Sequence, residues 1–207
     1  MPLLDPVRCT VRVEDGKLEG ATGRYEKRLS ELAGLYADQT AFTAALRAGD
    51  RVVYAVEDFR PSADAGDLIF GVTRMLPGKI GDEYFLTRGH IHGNANRPEL
   101  YYGQGGRGLM LMESPEGEVR TVEIGANTAC YVPPFWIHRS VNLGTEDLIM
   151  VFAYPADSGQ DYDIIARSNG MRKRVVDDGA GGWRLVDNPA YHPRSSEDVR
   201  ALLAQAG

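Results

Sequence analysis

Residues 87–102 read TRGHIHGNANRPELYY, and residues 130–142 read CYVPPFWIHRSVN. Three of the four histidines of the chain, His90, His92 and His138, lie in these two stretches. We predict that DEYFLTRGHIH (residues 82–92) forms a strand, on which side chains two residues apart point to the same face. His90 and His92 would then present both imidazoles to one point. A lone His-x-His pair is a common chance match, so the rest of the pattern must decide what the pair does.

Two further residues complete a possible set of metal ligands. Glu99 opens the predicted strand ELYY, and His138 follows the rigid pair Pro133–Pro134. Imidazole nitrogens and carboxylate oxygens are common ligands of divalent metals, and packing alone does not require these residue types together. The sequence therefore predicts one divalent metal ion per chain, bound by His90, His92, Glu99 and His138.

The surrounding sequence alternates short apolar segments with turn residues. RVVYAV, LIFGVTRML, GLMLME, VRTVEI and LIMVFAYPA are typical strands, and PSADAGD, SPEGE and LGTED are typical turns. This spacing favours an antiparallel barrel or sandwich over strand–helix–strand units. Helical periodicity is confined to the ends, at EKRLSELAGLYAD (residues 26–38) and SSEDVRALLAQA (residues 195–206), where serine precedes acidic first-turn residues.

The chain of 207 residues is short for two domains of ordinary size, and we predict one domain in three parts. Residues 1–50 form an N-terminal extension whose helix packs on the barrel or on a dimer partner. Residues 51–165 form the barrel with the metal site, and residues 166–207 form a C-terminal extension with a helix.

Charge and composition narrow the class of partner. The net charge of -6 argues against a nucleic-acid or anionic-membrane surface. No apolar run approaches the roughly 18 residues of a membrane span. Cys9 and Cys130 form no CxxC pair and are expected to be free thiols. We therefore expect a cytoplasmic protein that acts on a small molecule.

The two histidine-containing stretches resemble the cupins, whose first motif supplies two histidines and a glutamate and whose second supplies the third histidine. Gly106, Pro133 and Asn142 agree with the general pattern, whereas Tyr84 and Phe135 stand where it has glycine. Six residues separate His92 from Glu99, where the general pattern has three or four. This longer spacing, together with YPADSGQDY (residues 154–162), is similar to the cupin-type glucose-6-phosphate isomerases of archaea and some bacteria. The resemblance runs from about Tyr54 to Asp163.

The resemblance implies an all-β fold: a single cupin β-barrel (a double-stranded β-helix, or jelly roll) with an N-terminal extension and short terminal helices. It implies a homodimer that interconverts glucose 6-phosphate and fructose 6-phosphate in glycolysis and gluconeogenesis. Iron or manganese is the expected metal, although the same ligands accept zinc, nickel or cobalt.

The resemblance also assigns roles to individual residues. Glu99 and Tyr154 are expected to be catalytic, and the expected substrate-binding residues are Tyr54, Thr73, Thr87, Arg88, Gly89, Tyr101 and Gln160. Arg88 can give paired donors to a phosphate, and Tyr101 lies two residues beyond Glu99 on the same strand face. Gln160 stands where close relatives have histidine, and its amide cannot exchange a proton.

The sequence leaves alternatives open for both the mechanism and the activity. Glu99 can move a proton between C1 and C2 of the sugar, or it can serve as a ligand only while hydride passes between the carbons. Another cupin metalloenzyme, such as a dioxygenase or a sugar epimerase, uses the same fold and ligands, and a non-catalytic sugar-binding cupin is a further alternative. GQGGRG has dinucleotide-fingerprint spacing but precedes a strand, so we interpret it as a hairpin turn.

Overall fold

The computed structural model describes residues 3–206. Its strands are β1 (Thr10–Arg12), β2 (Lys17–Glu19), β3 (Gly23–Arg28), β4 (Val52–Phe59), β5 (Leu68–Met75), β6 (Lys79–Ile80), β7 (Glu83–Tyr84), β8 (Glu99–Gly105), β9 (Arg107–Glu113), β10 (Val119–Gly125), β11 (Ala129–Val132), β12 (Ile137–Asn142), β13 (Leu148–Pro155), β14 (Lys173–Asp177) and β15 (Trp183–Asp187). Its helices are α1 (Gln39–Ala48), α2 (Asp163–Arg167) and α3 (Ser196–Leu203), with 3-10 turns at Leu29–Leu32 and Ala204–Ala206.

Antiparallel sheets dominate the architecture. The largest has six strands in the order β11-β8-β13-β5-β4-β3, and a three-stranded sheet in the order β10-β9-β12 contributes to the same hydrophobic core. A four-stranded sheet (β15-β14-β7-β6) and the β1–β2 pair are the other two sheets of the described residues. The prediction of an all-β cupin fold is confirmed.

Strand β8 shows how the sequence pattern builds the interior. Glu99 and Tyr101 are buried, whereas Leu100 and Tyr102, which alternate with them along the strand, are exposed on the opposite face. This alternation is the two-residue period of a pleated strand. It brings the Glu99 carboxylate into the space between the six-stranded sheet and β12, next to His138.

The predicted N-terminal helix is misplaced. Residues 26–38 contain the end of β3 and the 3-10 turn Leu29–Leu32, whereas helix α1 begins at Gln39, after an Asp38 side chain that accepts from the Ala41 amide. Leu29, Leu32 and Tyr36 are buried in the core, so their spacing reflects packing of a turn rather than a helix. The C-terminal helix lies where it is predicted, with Ser195 as its N-cap. Within residues 3–206, no helix is both long enough and apolar enough to span a bilayer.

Two local interpretations of the sequence are also wrong. Residues 85–92 are not a regular strand but an extended segment held by isolated bridges, one of them between His90 and His138. The glycines of GQGGRG do not form a hairpin, because β8 and β9 belong to different sheets. Gly106 turns the chain from one sheet to the other with φ of 76°, and a Cβ there would lie 2.3 Å from the Asp147 carbonyl oxygen.

Candidate active site

Three histidines surround a single carboxylate oxygen. The Nε2 atoms of His138, His92 and His90 lie 3.0, 3.2 and 3.8 Å from Oε2 of Glu99. Ligand atoms of His90, Glu99 and His138 all lie within 4.8 Å of one another, which is close enough for one ion to contact all three. His92 approaches the same oxygen from the side of the Tyr154 ring.

Backbone carbonyls fix the orientation of two of these rings. Nδ1 of His92 lies 2.8 Å from the Arg97 carbonyl oxygen, and Nδ1 of His138 lies 3.0 Å from that of Trp136. A carbonyl oxygen only accepts hydrogen bonds, so in the neutral rings each Nδ1 carries the hydrogen and each Nε2 presents a lone pair. Lone pairs and a carboxylate oxygen this close together repel each other unless a cation lies between them. The donor set therefore fits a divalent metal ion.

Burial acts in opposite directions on the two kinds of ligand. It lowers the pKa of His90 well below its ordinary value, assisted by the neighbouring His138, and so favours the neutral imidazole that binds metals. For Glu99, burial raises the pKa, but hydrogen bonds donated by Nε2 of His138 and His92 whenever these rings carry a proton there outweigh it and hold the pKa well below the usual range. An ionised carboxylate among neutral imidazoles is the protonation state that a divalent cation requires.

The segments before the ligands are held by contacts outside the cluster. Asn94 N donates to the Ser158 carbonyl, Ala95 N donates to Oε1 of Gln205, and Arg97 forms a two-pronged ion pair with Asp157. These contacts anchor the connection between His92 and Glu99 at three points.

Phe135 turns the chain ahead of His138. Its φ is 71°, a left-handed conformation that is costly for a bulky residue, and its amide donates to the Ala95 carbonyl at 2.7 Å. The general cupin pattern has glycine here, which adopts this conformation without a steric cost. Packing of the phenyl ring against the core offsets part of the strain.

Two of the ligands, His90 and Glu99, line a cleft with about 520 Å³ of empty space, part of it open to solvent. Of the residues predicted to bind substrate or act in catalysis, the cleft is lined by Tyr54, Thr73, Thr87, Gly89, Glu99, Tyr101, Tyr154 and Gln160. Burial raises the pKa of Tyr54 and of Tyr154 to about 12, so both hydroxyls keep their protons near neutral pH. The walls of the cleft therefore carry several neutral hydroxyl groups.

Arg88 is the predicted substrate-binding residue that does not line the cleft. Its guanidinium stacks over the Tyr162 ring, 4.9 Å from the centroid, and its Nη2 lies 3.7 Å from Oδ1 of Asp163. The Tyr162 ring lines the cleft, so the Arg88 cation lies beyond the lining. Its backbone amide lies 3.4 Å from the Tyr54 hydroxyl, so the peptide is nearer to the cleft than the side chain is.

Several lining residues were not identified from the sequence: Tyr25, Asp58, Arg60, Ser140, Phe152 and Tyr162. Tyr25 lies on β3, within residues 1–50, which the sequence analysis assigns to an extension outside the barrel. Arg60 donates to Oδ2 of the buried Asp58, which places an ion pair at the cleft. Tyr162 follows Gln160 by two residues in YPADSGQDY, and its hydroxyl donates to the Gln160 side chain, so that motif held a usable signal.

The all-β cupin fold and the three histidines around one glutamate define the class of this protein as a cupin with a candidate metalloenzyme site. The chain matches the glucose-6-phosphate isomerase (GPI) family over residues 26–192 and belongs to that family. Membership decides among the alternative activities that the sequence left open, and the protein is an enzyme of the isomerase class.

Relatives with this name align with nearly the whole chain. It is 61% identical over 201 residues to the glucose-6-phosphate isomerase of Sinorhizobium medicae (strain WSM419), covering 97% of this chain and 94% of the relative. It is 41% identical over 186 residues to the glucose-6-phosphate isomerase of Thermococcus kodakarensis, covering 90% and 96%. Among solved structures, oxalate oxidase in complex with glycolate overlaps 53% of this chain and 55% of that chain at 15% identity and a TM-score of 0.45, too partial an overlap to carry an argument.

Proposed function

We propose that this isomerase interconverts glucose 6-phosphate and fructose 6-phosphate, and that one divalent metal ion bound by His90, His92, Glu99 and His138 is required. The names of the relatives support the substrate pair. The observation that carries the metal requirement is the contact of three imidazole Nε2 atoms with one Glu99 oxygen. The reaction places the enzyme in glycolysis and gluconeogenesis.

The reaction moves a hydrogen between C1 and C2 of the open-chain sugar and changes the oxidation state of both carbons. A bound divalent ion would polarise the oxygens on these two carbons. Glu99 is the carboxylate next to the three histidines, and as a base it would remove the proton from one carbon and return it to the other, while a hydroxyl proton passes between the oxygens of the two carbons. The hydroxyls of Tyr101 and Tyr154, which keep their protons, would donate to the sugar oxygens and hold C1 and C2 next to Glu99.

The phosphate of the substrate would bind away from the metal ligands. Thr73, Thr87 and the Tyr54 hydroxyl line the cleft there, and the amide of Gly89 lies beside them. Neutral donors would bind the phosphate through several hydrogen bonds. Arg88 would contribute its charge from behind the Tyr162 ring rather than by direct contact.

A coupled assay with fructose 6-phosphate tests the proposal directly. We expect turnover in the presence of manganese or iron, loss of turnover after chelation, and recovery on addition of the metal, with about one ion per chain by elemental analysis. Full turnover in a verified metal-free sample would exclude the metal requirement. No turnover with any metal would exclude the substrate pair.

We further propose that the enzyme is a homodimer in the cytoplasm. Leu100 and Tyr102 on β8 and Tyr131 on β11 are neighbours on the outer face of the six-stranded sheet, and each exposes more than a third of its surface. Adjacent exposed apolar side chains of this kind are typical of a contact between subunits. Light scattering of the purified protein measures the mass, and a strictly monomeric protein would contradict the dimer.

A further inference from the structure

Strand β12 carries a buried cation on the face opposite to His138. Arg139 is only 6% exposed, and it lines a cavity together with Val141, two residues along the strand, and Leu111 on the adjacent strand β9. The cavity is small, about 10 Å³, with room for about one water-sized particle, and Leu35, Glu83 and Arg174 lie on its other walls.

The charges around this cavity do not balance. Nη1 of Arg174 donates to both oxygens of Glu83, at 2.9 and 3.2 Å, so this pair is neutral. Lys173, also on the cavity, is paired with Asp187 at 2.8 Å. Within the described chain no carboxylate lies within ion-pair distance of Arg139, whose only hydrogen bond runs from Nη2 to the Arg88 carbonyl at 2.9 Å. Glu83 balances the charge of Arg174, and the positive charge of Arg139 is left in excess.

Unpaired donors accompany this excess charge. In the part of the chain that the structure describes, Nε of Arg139 and Nε of Arg174 are both buried without a hydrogen-bond partner. Guanidinium nitrogens only donate, so the missing group must be an acceptor. A buried charge without a counter-charge is far more costly than one missing hydrogen bond. A bound anion would supply both the counter-charge and the missing hydrogen-bond acceptor.

We propose that this cavity binds one small monovalent inorganic anion of the chloride class, held by Nε of Arg139 and Nε of Arg174. The walls formed by Leu35, Leu111 and Val141 favour a weakly hydrated single charge, because the cost of desolvating an ion rises steeply with its charge. The anion would neutralise Arg139 and so stabilise its bond to the Arg88 carbonyl. This inference concerns the face of β12 away from the cleft and is independent of the proposed reaction.

The direct test is crystallographic. Crystals of the wild-type protein grown with sodium bromide in place of chloride should show an anomalous peak in the cavity between the two Nε atoms. Water alone at that position, with no anomalous signal, would overturn the proposal.

A solution test uses thermal unfolding of the protein with its metal bound. Sodium chloride replaces sodium isethionate at constant ionic strength, and the wild-type Tm should rise by about 3 to 6 °C when chloride reaches ten times its Kd. Arg139→Gln should lose this dependence. Arg120→Gln, which removes an exposed arginine paired with Glu118, should keep it.

The outcomes separate the proposal from its rivals. A Tm that does not respond to chloride in the wild-type protein would overturn it. An equal response in Arg139→Gln would place the anion elsewhere and would also overturn it. If Arg139→Gln does not fold, the bromide experiment on the wild-type protein still decides between anion and water.

Discussion

The two faces of strand β12 carry different kinds of polar residue. Ser140 lines the cleft, and His138 contacts the cleft residue Glu99, where imidazoles and hydroxyls surround the carboxylate. Arg139 faces the opposite side, next to the Arg174–Glu83 ion pair. Consecutive residues of a strand point to opposite faces. His138, at the candidate active site, and Arg139, among the buried charges, are therefore neighbours in sequence but lie on opposite sides of the strand. Substitutions on the two sides should therefore affect different measurements.

The largest effect is expected on the cleft side, at Glu99. In Glu99→Gln an oxygen remains available to the metal but the basic carboxylate is lost, so kcat should fall about a hundredfold to ten-thousandfold with little change in Tm. In heavy water the wild-type enzyme should place deuterium on C1 or C2 of the product, because a proton held by Glu99 exchanges with solvent. Near-normal kcat in the variant, with no deuterium in the wild-type product, would reduce Glu99 to a ligand and favour hydride transfer.

On the opposite side, Arg174→Met should reduce stability and leave chemistry unchanged. The change leaves the buried Glu83 without its cation, and the free energy of unfolding should fall by about 3–5 kcal/mol. Urea unfolding measures this loss, and kcat of the folded variant should equal that of the wild type. Arg120→Met, at an exposed pair, is the matched control and should cost less than about 1 kcal/mol. A large loss of kcat at unchanged stability would show that the two faces are not separate.

Within the cleft, Tyr162→Phe should have an intermediate effect. The ring remains, but the hydroxyl that donates to Gln160 is lost. One lost hydrogen bond is worth about 0.5–1.5 kcal/mol, so KM for fructose 6-phosphate should rise about twofold to tenfold. Tyr102→Phe removes a hydroxyl on the outer face of β8 and should leave KM unchanged. Equal effects of the two substitutions would argue against a role for the Tyr162 hydroxyl.

The smallest effect is expected at Arg88. From the sequence alone, Arg88 was expected to contact the phosphate, but the structure places its guanidinium behind the Tyr162 ring, with 42% of the side chain exposed. Losing an exposed cation–π contact costs about 0.5–1 kcal/mol, so Arg88→Ala should raise KM about twofold to fivefold. An increase in KM well above tenfold, absent with an unphosphorylated sugar, would support the direct contact between Arg88 and the phosphate that the sequence predicts.

The sequence predicted the central strands and the cluster of His90, His92, Glu99 and His138 because strand periodicity and ligand chemistry are both local signals. It predicted the wrong structure for residues 26–38, where the leucine spacing of a buried turn imitates a helix. The pleat argument for His90 and His92 also rested on a strand that is not regular. A bridge from His90 to His138 aligns this segment instead, and such long-range pairing leaves no local pattern.

Residues that line the cleft from distant segments show the same limit. Tyr25 reaches it because β3 pairs with β4 at the edge of the six-stranded sheet, and Ser140 because β12 lies across from that sheet. Neither residue type suggests a ligand on its own. The charge excess around Arg139 was equally hidden, because it depends on which carboxylates lie within reach in the folded chain.

The close approach of residue 89 to Arg139 restricts position 89 to glycine, whichever residue other than glycine stands at position 139. Gly89 has φ of 75°, and a Cβ there would lie 2.9 Å from Cβ of Arg139 and 2.8 Å from Cδ1 of Ile165. Any side chain at position 89 meets both the left-handed backbone and these neighbours, whatever its chemistry. Shortening Arg139 would not help, because the contact is with its Cβ, which every residue except glycine has. A protein library that varies position 89 alone should therefore return glycine, and one that varies both positions should return the same answer.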